Sequence, residues 1–213
     1  MFDLEYGGGN NIKVTTKGLT LVFDAKRSVF GGKDVVVPGG VEFATESRLY
    51  LGDKNYKLNI NGPGEYEVGS CIIKGIAAKQ HLDDPEGKET DSTIYTADVA
   101  GFRLAILGNI WGKLTDKQLE RIGVIDILVL PVGGRGYTLD AEEAVALTRQ
   151  IDPKIVIPVH YAGSSLNYEV AQDTADEFID RLKAPVIEAK SLKLKSGAPL
   201  PSELEIHKLS VSA

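Results

Sequence analysis

The chain has 213 residues, 43% of them hydrophobic, with a formal charge of −6 and one cysteine, which is enough apolar material for a full core. The acidic balance excludes the broad basic face that nucleic acid or an anionic membrane surface requires. One cysteine excludes an internal disulfide and fits a reducing, cytoplasmic setting.

The opening stretch, MFDLEYGGGNNIKV, has neither a basic n-region nor an apolar h-region, so no secretory leader is expected. No apolar run approaches the roughly 18 residues of a membrane span. NIKVTT and LTLVFDA flank Lys17-Gly18 and predict a hairpin. DVVVPGG, RLYLG and YKLNI predict three further short strands, and EYEVGSCIIKGI adds more strand. Cys71 has apolar neighbours there and reads as a packed thiol rather than a nucleophile. The polar loop KQHLDDPEGKETDS carries His81 with Asp83, Asp84 and Asp91. TIYTADV and FRLAILGN, on either side of Ala100-Gly101, predict a second hairpin.

Beyond residue 111 helices and strands alternate. In LTDKQLERIG, Thr115 and Gln118 form a capping box, Leu114 and Leu119 a hydrophobic staple, and Gly123 a left-handed stop. DILVLPVGG is a buried strand. DAEEAVALTRQID is a helix capped by Asp140, with Glu142 and Glu143 in its first turn. KIVIPVHY is the next strand, and YEVAQDTADEFIDRLK a helix with Ala171, Ala175, Phe178, Ile179 and Leu182 on one face. PVIEA and ELEIHKLSV close the chain as strands. An antiparallel-rich first half followed by this alternation predicts an α/β sandwich, two packed sheets with helices outside, as one domain over residues 1–213.

Three apolar strands end alike, at Gly108-Asn109, at Gly133-Gly134 and at His160. In α/β sheets ligands bind outside the carboxyl ends of strands, so if these strands are neighbours their ends line one rim. A histidine where a buried strand meets a loop reads as a metal ligand, a catalytic base or a hydrogen-bonded structural residue. Gly133-Gly134 with Arg135 reads as an anion cradle or as a plain turn. His207 sits in an alternating strand and reads as structural. Trp111 and Tyr137 lie beside the rim in sequence, as pocket walls or as packing.

The run LAILGN, followed by LTDKQLERIGVIDILVLPVGGRGYTLDAEEAVALTRQIDPKIVIPVHY, resembles the C-terminal half of metallo-β-lactamase-fold hydrolases. Within them it resembles the branch containing L-ascorbate-6-phosphate lactonase and related zinc-dependent hydrolases, which NGPGEYEVGSCIIKGI and the His81 loop also fit. The resemblance implies a four-layer αββα sandwich with two metal ions at one edge of the sheets. It places His160 at the last histidine ligand, His81 at the middle one, and Asn109 where an aspartate bridges the metals. It also implies an H-x-H-x-D-H motif after the strand that follows LVFDA, where this chain has KDVVVPGGVEFATES, without a histidine. A neutral amide at 109 brings no charge to hold two cations together.

The expectation is a protein of this fold with vestigial ligand positions at His81, Asn109 and His160. It would bind a small-molecule ligand or a protein partner, without catalysis and without a cofactor. His160 would hydrogen-bond its neighbours, Asn109 among them. The alternative is a mononuclear zinc-dependent hydrolase of an ester, lactone or phosphoester, using His81, His160 and a third ligand from Asp83, Asp84, Asp91 or Asn109. A third reading is structural, with LPSELEIHKLSVSA as an edge strand pairing in a homo-oligomer.

Overall fold

The computed structural model describes residues 1–81, 91–163 and 166–212. Its first sheet sets β1 (Phe2–Gly8), β2 (Asn11–Thr16), β3 (Leu19–Phe23), β4 (Val41–Ala44) and β5 (Leu58–Asn61) side by side, with β13 (Ser191–Leu194) on the far side of β1. Its second sheet begins with β6 (Gly64–Val68), β7 (Cys71–Lys79), β8 (Asp91–Val99) and β9 (Phe102–Ile106), paired antiparallel. It continues through β10 (Ile127–Pro131), β11 (Ile155–Val159), β14 (Glu205–Leu209) and β12 (Val186–Ala189), all parallel from β9 onward.

Residue patterning explains the layers. β1 buries Phe2, Leu4 and Tyr6 and leaves Asp3 and Glu5 half-buried, as a strand with one inward face must. β10 and β11 are buried throughout, as central parallel strands covered on both faces are. The inner faces of the two sheets meet in one core, where Phe23 stacks on Phe43 and Tyr95 meets both at a steeper angle, with centroids 5.1 to 5.8 Å apart. Cys71 is buried in that core. On the other face of the second sheet, α1 (Asp116–Ile122), α2 (Ala141–Ile151) and α3 (Asp176–Leu182) bury Ile122, Leu147 and Phe178 against Leu128, Leu130 and Val156. The outer face of the first sheet is covered differently. Val35, Val37, Leu51 and Tyr56 from irregular segments pack over Val22 and Ala25, with no α-helix there among the described residues.

The expected caps form at Thr115, with Gln118 reaching back, and at Asp140, with Glu143 doing the same. Other elements differ from expectation. DVVVPGG is irregular, because Pro38 lacks an N–H and Gly39 turns the chain at φ 76°, and the strand starts at Val41 instead. RLYLG contains a 3-10 turn at Ser47–Leu49, after which the buried Glu42 carboxylate accepts the N–H groups of Leu51 and Gly52 at 2.5 and 2.8 Å. A side chain there does the work of a strand ladder. The helix expected from Tyr168 shrinks to α3, because Asp173 is bonded at both ends, N–H to the Gly133 carbonyl and carbonyl to the Ala162 N–H. β1 and β13 were not expected. Among the described residues no helix is long and apolar enough to cross a membrane.

Candidate functional site

β9, β10 and β11 are parallel neighbours in register, so their carboxyl ends do form one rim. The first sheet adds a fourth strand end to it. Asp24, buried at the end of β3, accepts the Thr45 N–H at 2.7 Å and the Thr45 hydroxyl at 2.8 Å. Burial pushes its carboxyl well above the usual range. Gly108 lets Thr45 approach closely, since its φ is 62° and any Cβ would lie 2.5 Å from Thr45. The residues that follow β4, Thr45 to Arg48, are thereby drawn against the loop that carries Asn109.

His160 stands directly after β11 in a left-handed conformation, φ 51°, which a histidine adopts more readily than most residues. Its N–H is shared between the Gly9 carbonyl at 2.9 Å and the Tyr6 hydroxyl at 3.1 Å. The ring is fully buried, stacked on Tyr168 at 4.7 Å and edged by Phe30 at 5.2 Å and Tyr137 at 5.6 Å. Nδ1 lies 2.9 Å from Asn10 Oδ1, so Nδ1 carries the proton and Nε2 keeps its lone pair. The partner is therefore Asn10, not Asn109 as expected; the Gly9-Asn10 turn between β1 and β2 delivers it. Burial, then the positive charge of Arg48, lower the imidazole pKa to about 3.

That charge belongs to a pair that the sequence did not single out. Glu46 is 4% exposed and accepts hydrogen bonds from Arg48 Nε at 2.9 Å and Gln80 Nε2 at 2.6 Å. Burial raises its carboxyl pKa, while Arg48 and the Asn109 amide oppose that rise. Arg48 lies 5.6 Å from the Phe30 ring and 4.9 Å from the Tyr137 ring, the two rings that also flank His160. Tyr137 Oη lies close enough to the guanidinium for the two to interact, at a geometry short of a well-formed hydrogen bond. Buried side-chain atoms without a partner collect at this centre: Asn10 Nδ2, Glu46 Oε1, Arg48 Nη2, Asn109 Oδ1, Tyr137 Oη and His160 Nε2. Elsewhere in the described residues they occur only at Asp3, Arg27 and Asn59. A separate cleft lined by Tyr161, Thr174, Glu188, Lys190 and Lys208 contains none of them.

His81 lies at the rim under a different regime. Its N–H donates to the Asn109 carbonyl at 3.1 Å, Nδ1 is 3.3 Å from the Gly136 carbonyl and Nε2 3.3 Å from Glu143 Oε2. Trp111, 39% exposed, packs at 5.7 Å. Asp83 and Asp84, and the side chain of Asp91, lie outside the described residues. The Gly133-Gly134-Arg135 turn, expected as an anion cradle or a plain turn, is tied into the structure at three points. A Cβ at Gly133 would strike the His160 carbonyl, the Gly134 N–H donates to the Leu139 carbonyl, and Arg135 is paired with Asp173 at 2.6 Å. His207 lies 3.1 Å from Glu205 on β14, which is paired on both sides by β11 and β12 and so is not the edge strand expected of LPSELEIHKLSVSA.

Among the described residues the donor chemistry fits a metal poorly. No group of three or more His, Cys, Asp or Glu among the described residues is arranged to hold one. A guanidinium stands among the positions that the resemblance assigns to ligands, and it repels a second cation. Glu46 and Arg48 are two residues apart at the end of β4, where the resemblance implies H-x-H. The signal for them was weak: ATESR has no periodicity, and its partners outside the stretch, among them Asp24, Phe30, Gln80 and Tyr137, lie beyond any local window.

Comparison with known proteins agrees with the fold. The family described as the beta-lactamase superfamily domain matches residues 4–160. A protein named UPF0173 metal-dependent hydrolase from Natranaerobius thermophilus is 31% identical over 111 residues, 52% of this chain and 47% of that protein. One from Thermodesulfovibrio yellowstonii is 24% identical over 209 residues, 92% of this chain and 71% of that protein. The match spans about half the length of the first of these relatives. A Thermotoga maritima crystal structure from the metallo-beta-lactamase superfamily superposes with TM-score 0.75 and 22% identity, covering 98% of each chain. The metallo hydrolase Igni18 of Ignicoccus hospitalis superposes with TM-score 0.63 and 16% identity over 85% of this chain and 90% of its own. At those identities the structures speak for the fold. The chain belongs to the beta-lactamase superfamily.

Proposed function

We propose that this member of the beta-lactamase superfamily uses its rim to bind a small polar ligand, with the Arg48 guanidinium in the place of a metal cation and no metal-assisted hydrolysis. The observation that carries the reading is the Glu46–Arg48 pair at 2.9 Å, set between Asn109 and the rings around His160. A cation fixed to the chain neutralises the carboxylate nearest the centre and disfavours a divalent ion beside it. The unpartnered atoms favour a ligand over mere decay, since a buried polar group left unsatisfied costs about 1–3 kcal/mol.

A second reading, the mononuclear metal-dependent hydrolase, is favoured by the names of the relatives, which speak for it more directly than for a binding role. One geometric observation joins them: His160 presents the Nε2 lone pair that a metal ligand needs. In that reading His160 and His81 would hold the ion, with Asp83, Asp84, Asp91 or Asn109 as third ligand, and zinc would supply Lewis acidity toward an ester, lactone or phosphoester. Metal content of tag-free protein purified without chelator separates the two, measured beside the His81→Ala/His160→Ala variant. The binding reading expects no stoichiometric metal in either protein. One equivalent of zinc, lost in the double variant, establishes the hydrolase reading instead.

A further inference from the structure

Arg48 is held so that one edge of its guanidinium is left without a strong partner. Nε is bonded to Glu46 at 2.9 Å, and the rings of Phe30 and Tyr137 fix the group at 5.6 and 4.9 Å. Nη2 is buried without a partner, and Nη1 meets Glu169 at 3.5 Å, a distance at which the bond is weak. The Glu169 side chain is 61% exposed, against 29% for that of Arg48. The Nη1–Nη2 edge is the planar fork that takes both oxygens of one oxyanion, and here an exposed side chain only grazes it.

Charge narrows the oxyanion. Arg48 is positive, Glu46 beside it is negative, and Glu169 adds a second negative charge from the solvent side. A monoanion that displaces Glu169 restores the same total. A dianionic phosphate would add one more negative charge next to the buried Glu46. We propose that the ligand of this site carries a carboxylate, which displaces Glu169 and docks on the Nη1–Nη2 edge of Arg48. The proposal rests on the binding reading above.

The test is a nitrogen-15 NMR titration of the Arg48 side chain with sodium acetate and, separately, inorganic phosphate at constant ionic strength. It uses the intact chain, the Glu169→Gln and Arg48→Lys variants, and a metal assay on each sample. Acetate is expected to shift the Arg48 resonances saturably and to bind at least as tightly as phosphate. Glu169→Gln, on the surface and harmless to folding, is expected to tighten acetate up to about fivefold, the worth of an exposed ion pair. Arg48→Lys, followed through its backbone amide resonances, is expected to lose the binding, because an ammonium lacks the fork. In zinc-free protein, no saturable shift, no tightening in Glu169→Gln, or tighter phosphate would overturn the carboxylate proposal alone. Stoichiometric zinc in the sample would overturn the binding reading beneath it.

Discussion

The two rim histidines have diverged within one scaffold. His160 is sealed among Phe30, Tyr137 and Tyr168, bonded through Nδ1 to Asn10, and lies within the field of Arg48. His81 has both ring nitrogens near acceptors, the Gly136 carbonyl and the half-exposed Glu143, and packs on a surface tryptophan. The contrast teaches that the chemistry of a strand-end histidine is set by what other elements bring to it. At His160 those elements are the β1–β2 turn and the end of β4; at His81 they are the first turn of α2 and the loop after β10.

The sharpest way to break the contrast is to remove one charged partner on each side. Arg48→Met leaves Glu46 buried beside Gln80 and Asn109, and is expected to cost about 3 kcal/mol in urea unfolding. Glu143→Gln, next to His81, is expected to change stability by less than about 0.5 kcal/mol. Equal losses would mean that the two halves are energetically alike. The pH dependence sharpens it further. Folded His160 stays neutral down to about pH 3, while the unfolded residue takes up a proton near pH 6.5. Between those values the unfolded chain binds more protons, so this contribution is complete above about pH 7 and declines as pH falls. Between pH 7 and pH 5 the loss is about 2 kcal/mol, at 1.36 kcal/mol per unit, and His160→Phe should remove that part of the slope. Asn10→Ala, which strands the Nδ1 proton, is expected to cost about 1–2 kcal/mol; a neutral result would show that His160 does not depend on it. Glu169→Gln should leave stability within about 0.5 kcal/mol, since its expected effect is on ligand affinity.

Much of the scaffold was legible. Helix caps at Thr115 and Asp140, the apolar runs of β9 to β11, and the glycines or histidine closing them are local signals, and local physics decides them. The centre was only half legible for the opposite reason. His160 meets Asn10 across 150 residues of chain, and Glu46 meets Gln80 across 34, pairings that no window of sequence contains. The stretches on either side of β4, DVVVPGG and RLYLG, misled because their β-branched and aliphatic residues resemble strands. Tertiary contacts decide them instead: Glu42 holds the N–H groups of Leu51 and Gly52, and Val35 and Val37 serve as a lid on Val22 and Tyr56.

The central claim is that the cation of this site is built into the chain. Thermal unfolding of the wild-type protein in excess zinc and in chelator tests it most directly, because an ion that binds the folded state raises its stability with concentration. The Glu46→His/Arg48→His variant, which restores an H-x-H pair, serves as the comparison. The account predicts one midpoint for the wild type under both conditions and a zinc-dependent rise in the variant. A zinc-dependent rise in the wild type, removed by chelator, would contradict it.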